Sequence, residues 1–130
     1  MRVLIDTCVW SNVLRHKNQD QNLLHRVNDL VADGHVAMIG LIRQEILSGV
    51  SDEIQFQILK EKLDVFDDIP LKSEYFIQAA HFFNVCRKKG IQGSAIDFLI
   101  CSVAHSLDLS IFTTDGDFNE YKKILKVKLF

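Results

Sequence analysis

Four carboxylates, Asp6, Glu45, Asp97 and Asp115, are the residues of this chain whose type and placement point to chemistry, and Asp117 is a candidate fifth. Asp6 and Asp115 each follow a short apolar run, Asp97 stands three residues after Ser94, and Glu45 sits in a segment with helical character. Unpaired carboxylates gathered within a few ångströms repel one another and raise their own pKa values unless a cation neutralises them. Hard oxygen ligands without His or Cys suit Mg²⁺ or Mn²⁺. Such ions lower the pKa of a bound water, hold a phosphodiester and stabilise the departing oxygen, which is the chemistry of many nucleases. Each acid also has an ordinary structural use. Asp6 fits a helix N-cap before Thr7-Cys8-Val9, Asp97 has the capping-box spacing from Ser94, Asp115 and Asp117 are turn formers, and Glu45 fits a solvated helix position. What favours chemistry is that all four fall where one sheet edge would gather them.

That edge follows from the order of elements. Residues 2–5 form an apolar run ending in Asp6 and predict a buried strand, and residues 7–15 continue with helical spacing. Residues 20–33 place Leu23, Leu24, Val27, Leu30 and Val31 on one helical stripe stopped by Gly34, and residues 35–39 predict a second strand. Helices are expected over residues 41–48 and 52–63, and a third strand over 64–69, closed by Pro70. The longest helical pattern covers residues 72–89, with Phe76, Ala79, Ala80, Phe83 and Cys86 on a face expected to pack on a sheet. Residues 94–107 repeat the theme. A strand over 110–113, the Asp115-Gly116-Asp117 turn, a helix over 118–124 and a Lys-protected edge strand over 125–130 complete the chain. Strands alternating with helices through short connections imply an α/β fold, a three-layer α/β/α sandwich around a mainly parallel sheet. In such sheets ligands bind at the carboxyl ends of the strands, where the acids stand.

Composition sets the frame. At 130 residues, 48% apolar and 25% charged, the chain suits one domain over residues 1–130 that buries an ordinary core without disulfides or a structural metal. Its longest uncharged apolar run, residues 36–42, is too short to cross a bilayer, and Asp6 interrupts the opening residues before a signal-peptide core, so a soluble, cytoplasmic protein is expected, with no membrane partner. Cys8, Cys86 and Cys101 lack the close spacing of zinc or redox motifs and read as buried thiols. Cys101 and His105 are spaced i, i+4, but a core thiol beside an exposed helix end explains them better than zinc. Trp10 reads as packing for the first helix rather than a platform for a base.

The formal net charge of −2 argues against binding nucleic acid by bulk charge, and two divalent ions at the acids would bring it to +2. Arg15, Lys17, Arg43 and the run Arg87-Lys88-Lys89 are then the cations placed to meet phosphates, although that run also suits a helix C-terminus.

Leu4-Ile5-Asp6-Thr7, Glu45-Ile46-Leu47-Ser48-Gly49, Gly93-Ser94-Ala95-Ile96-Asp97-Phe98-Leu99-Ile100 and Thr113-Thr114-Asp115-Gly116-Asp117-Phe118 occur in an order and spacing that resembles the PIN-domain ribonucleases. The likeness is nearest to the VapC-type toxins of bacterial and archaeal toxin–antitoxin pairs and runs over essentially the whole chain. It implies that Asp6, Glu45, Asp97 and Asp115 form a metal-binding acidic site, with Asp117 a candidate addition. It also implies Mg²⁺- or Mn²⁺-dependent endonucleolytic cleavage of RNA, a homodimer, and a small antitoxin as inhibitor. On physical grounds Asp6, Asp97 and Asp115 would meet the metal, Glu45 would ligate through water or orient the attacking water, and Thr7 and Thr113 would support them with hydroxyls. The helix over residues 20–33 and the pair Ile46-Leu47 are the candidate apolar surfaces for a partner helix.

Two other readings use the same architecture. A receiver-type phospho-acceptor domain also sets Asp at strand ends with Mg²⁺, but it wants paired acids after the first strand and a Lys after the last parallel one, and neither is present. A PIN-like module that binds RNA or protein without cutting would keep the fold and use the acids only structurally.

Overall fold

The computed structural model describes residues 1–15 and 17–130. Its elements run β1 (Val3–Ile5), α1 (Thr7–Leu14), α2 (Gln21–Ala32), β2 (Val36–Ala37), α3 (Gly40–Leu47), α4 (Glu53–Leu63), α5 (Ser73–Lys88), α6 (Ala95–Leu107), β3 (Ser110–Phe112), α7 (Asp117–Ile124) and β4 (Lys128–Leu129). The four strands pair in the order β2-β1-β3-β4, all parallel. Among the described residues, seven helices and this sheet make the three-layer α/β/α arrangement expected from the alternation of elements.

Local chemistry explains most boundaries. Asp20 accepts from the backbone N–H groups of Asn22 and Leu23, Asp52 from that of Gln55, and Ser94 from that of Asp97, so α2, α4 and α6 each begin at a side-chain cap. Val3, Leu4 and Ile5 are all fully buried, as a central parallel strand covered on both faces requires. Ile5 lies opposite Phe112 in the register, which sets the residues that follow them, Asp6 and Thr113, side by side at the same sheet edge. In the last segment Leu125 and Val127 are buried while Lys126 and Lys128 face outward, so the anticipated alternation is present even though only Lys128–Leu129 pairs with β3.

Several expectations change. The strand expected over residues 64–69 is reduced to one parallel bridge, Met38 with Asp68, supported by the Ile69 N–H donating to the Met38 carbonyl at 2.9 Å. The segment is held by Arg43, whose guanidinium reaches the Asp68 carboxylate at 3.0 and 3.1 Å, the Leu63 carbonyl at 2.9 Å and the Phe66 carbonyl. Arg43 is therefore committed to the fold and does not stand ready for phosphates. α5 packs on α6 rather than on the sheet, burying Tyr75, Ala79 and Cys86 and leaving Phe76 49% and Ile77 71% exposed. Its outer face, with Leu41, Ile96 and Leu99, lines a recess of about 410 Å³. The surfaces expected to meet a partner are largely core: Leu23, Val27 and Leu30 of α2 and Ile46 of α3 are buried, Leu24 and Leu47 are half-buried, and Val31 is exposed.

Cys86 and Cys101 are buried, and burial pushes both thiols up, but Cys8 is exposed. His105 Nδ1 lies 3.0 Å from the Lys126 carbonyl oxygen. Trp10 is buried with its ring 5.5 Å from that of Phe66, as packing demands. No helix among the described residues is long and apolar enough to cross a membrane.

Candidate active site

Asp6 leaves the end of β1 and caps α1, its Oδ1 accepting from the Thr7 N–H at 2.8 Å. It is 8% exposed, and a buried carboxylate must have its oxygens satisfied. Thr113, just past β3, supplies the second bond: its Oγ1 donates to Asp6 Oδ2 at 2.8 Å and accepts from the Asp115 N–H at 3.0 Å. One threonine hydroxyl thus joins the loops after two neighbouring strands. On the other side, Thr7 Oγ1 donates to Glu45 Oε1 at 2.9 Å, linking the start of α1 to α3. The two threonines, which sequence reasoning placed only in support, are the connectors of the acidic residues.

Asp97 projects from the first turn of α6, where its backbone N–H donates to Ser94 Oγ at 3.1 Å. Its carboxylate turns to α7, accepting at Oδ2 from the Tyr121 hydroxyl at 2.8 Å. Asp115 closes the turn into α7, its Oδ1 accepting from the Asp117 N–H at 2.9 Å, the local pattern that makes Asp a turn former. Asp97, Asp115 and Asp117 each offer a carboxylate oxygen, and these three atoms lie within 4.8 Å of one another. Asp117, the candidate fifth acid, is thus inside the tight group. Asp6 and Glu45 stand beside it, joined to it through Thr113 and Thr7.

The electrostatics follow from this crowding. Burial is the main influence raising the Asp97 pKa, and the charges of Asp6 and Asp115 push it the same way, while the hydrogen bonds from Tyr121 and Ser94 pull it down. The Tyr121 phenol is pushed well above its ordinary value by burial and by Asp97, so it stays a hydroxyl and donates. Three carboxylate oxygens in reach of one point, one of them on a residue whose ionisation is disfavoured chiefly by burial, fit a hard divalent cation. Among the described residues the three-carboxylate group contains no soft atom; the Cys8 sulfur lies 3.6 Å from Asp6 Oδ2, outside it. Mg²⁺ or Mn²⁺ suits this donor set better than zinc.

Sequence reasoning missed Tyr121. Its only advance signal was an aromatic residue on the inward stripe of α7, four positions after Asp117. It also missed that Cys8 opens at the site, 3.5 Å from Thr113 Oγ1 and 3.3 Å from Thr114 Oγ1.

A family model described as the PIN domain matches residues 3–124. Comparison with curated proteins finds no match. The crystal structure of FitAcB from Neisseria gonorrhoeae is similar with a TM-score of 0.80 at 20% identity, covering 98% of this chain and 96% of that one. VapBC2 from Rickettsia felis, bound to a DNA fragment from its promoter, gives a TM-score of 0.78 at 18% identity over 100% and 98% of the two chains. DNA-bound VapBC from Salmonella typhimurium gives 0.75 at 15% identity over 100% and 97%. At these identities the likeness to the solved structures is one of fold.

Proposed function

The chain belongs to the PIN-domain family, and from that premise we propose that it is a metal-dependent endoribonuclease, the VapC-type toxin of a toxin–antitoxin pair. The observation that carries the reading is the trio Asp97, Asp115 and Asp117, with ligand oxygens within 4.8 Å, at the edge where Asp6 and Thr113 leave adjacent parallel strands. Mg²⁺ or Mn²⁺ held by Asp97, Asp115 and Asp117 with Asp6 beside them would lower the pKa of a water and offset charge on a phosphodiester.

The chain's own residues divide the remaining work. Asp6, with one oxygen taken by Thr7 and the other by Thr113, is locked in orientation and contributes fixed negative charge. Thr113 holds Asp6 and the Asp115 backbone at a set separation, so the two strand ends act as one rigid support. Glu45 keeps one oxygen on Thr7; its other oxygen is the group suited to orient the attacking water or take its proton. The proposed reaction is hydrolysis of an RNA phosphodiester by activated water, with the carboxylates holding the ion and orienting that water.

The proposed partners are a cognate antitoxin and a second copy of the chain. The complexes named FitAcB and VapBC among the structural neighbours support the first. The exposed Phe76 and Ile77 on α5, more than the mostly buried stripe of α2, supply apolar surface for association. Cytoplasmic RNA as target requires action inside the cell.

Induced expression tests this reading. The wild-type chain should arrest growth and fragment cellular RNA, an Asp97→Asn variant present at equal level should do neither, and co-expression of the small protein encoded beside it should restore growth. Equal growth and intact RNA with both forms, at confirmed levels of folded protein, would count against the toxin assignment.

A further inference from the structure

We propose that Tyr121 is a positioning residue that holds the Asp97 carboxylate toward the metal site and keeps it from turning back onto the start of its own helix. The inference rests on the nuclease reading and concerns a residue outside the acidic set.

Asp97 has two competing places for its carboxylate. It stands at the third position of α6 after the Ser94 cap, and the Ser94 hydroxyl already accepts from the Asp97 N–H. In a capping box the acid at that position swings back to the backbone N–H of the cap residue, completing a reciprocal pair. A carboxylate spent there would leave the group formed with Asp115 and Asp117. In the structure it is drawn the other way, onto the Tyr121 hydroxyl at 2.8 Å.

Tyr121 is built to hold that position. It is fully buried, with its ring centroid 4.9 Å from that of Phe98 and 5.1 Å from that of Phe118. Phe98 follows Asp97 on α6 and Phe118 follows Asp117 on α7, so the phenol is gripped by the neighbours of two members of the trio. Its hydroxyl lies against Gly93, where a Cβ would overlap the Tyr121 oxygen and crowd both its ring and that of Phe98. The glycine before the Ser94 cap therefore clears the path by which the phenol reaches Asp97. A phenol fixed by packing has little rotamer freedom to lose, so its hydrogen bond constrains the acceptor rather than following it. With Oδ2 accepting from Tyr121, the carboxylate keeps lone pairs to offer an ion.

Tyr121→Phe keeps the ring and removes only the donor. Mn²⁺ alone is the probe, its binding read by electron paramagnetic resonance of the free ion, with the unfolding temperature in EDTA measured on the same preparations. The Phe variant should bind Mn²⁺ about tenfold more weakly, as loss of a group orienting a ligand typically causes. It should also need correspondingly more Mg²⁺ for half-maximal RNA cleavage while approaching the wild-type rate at saturation. Tyr75→Phe, at a buried tyrosine of α5 outside the acidic group, should bind Mn²⁺ as wild type does. Gly93→Ala keeps the hydroxyl but displaces it and should weaken Mn²⁺ binding in the same direction.

A Tyr121→Phe protein that loses thermal stability yet binds Mn²⁺ with unchanged affinity would show an ordinary core tyrosine and overturn the inference. If Tyr121→Phe does not fold, unchanged affinity in folded Gly93→Ala overturns it equally. Wild-type protein that binds no Mn²⁺ would instead overturn the metal-site reading, and this inference with it.

Discussion

Replacing Asp97 by Asn should stabilise the metal-free protein while removing its response to metal. The side chain keeps its shape, an amide oxygen can still accept from Tyr121, and the helix cap uses the Asp97 backbone N–H rather than its carboxylate. What disappears is a charge facing Asp115 and Asp117 across at most 4.8 Å, with Asp6 adding to the repulsion. Two unit charges at 4.8 Å repel by about 0.9 kcal/mol in water and about 3.5 kcal/mol at an effective dielectric constant of about 20. Asp117 is exposed and Asp97 and Asp115 are half-buried, so solvent screening favours the lower figure. A gain of about 1 kcal/mol follows, worth about 3–5 °C in unfolding temperature for a domain of this size.

The pH dependence gives a second handle. An acid whose native pKa is raised binds its proton more tightly in the folded state, so its contribution to stability is present at low pH and is lost as pH rises through the native value. The advantage of Asn over Asp should therefore be full at neutral pH and vanish below the ordinary carboxylate range. Differential scanning calorimetry in EDTA and in millimolar Mn²⁺ reads both effects. Wild type should gain stability with Mn²⁺ and the variant should gain little. A variant less stable than wild type in EDTA at pH 7, or one that gains as much from Mn²⁺, would refute the crowding argument.

Three further outcomes follow from individual contacts. Thr113→Val leaves the buried Asp6 Oδ2 with only the weak Cys8 thiol as donor and should cost about 1–3 kcal/mol in urea denaturation, together with weaker Mn²⁺ binding. Arg43→Ala frees the Asp68 carboxylate and the Leu63 and Phe66 carbonyls and should destabilise by about 2 kcal/mol, with the Mg²⁺ dependence of cleavage by the folded fraction unchanged. Gly34→Ala, at φ +69° after α2, should cost about 1 kcal/mol in the same denaturation and leave metal binding untouched.

Much of this arrangement is written in local signals. β1 before Asp6, β3 before Thr113, the Ser94 cap and the Asp115 turn each depend on a few adjacent residues, and the parallel register of β1 and β3 then brings two of the loops together. Tertiary choices are where local reading fails. Arg43 and Glu45 are near in sequence, but residues two apart on a helix point to different sides, so one anchors residues 63–68 while the other meets Thr7. Apolar and acidic residues mixed over 64–69 satisfy a strand pattern as readily as a loop pinned by an arginine. Tyr121 reaches Asp97 across 24 positions and two helices, a contact that periodicity cannot encode. The α5 face looked like core because its apolar spacing is helical, yet only the stripe against α6 is covered.

The central claim is that these carboxylates make a metal-dependent ribonuclease, and cleavage of a structured RNA pool by purified protein tests it most directly. Wild type, Asp6→Asn and Asp97→Asn, purified identically and shown to be folded, are compared in Mg²⁺, in Mn²⁺ and in EDTA. The account predicts discrete cleavage by wild type with either ion, none in EDTA, and none by either variant under any condition. Cleavage that persists in EDTA, or that the folded variants share with wild type, would contradict it.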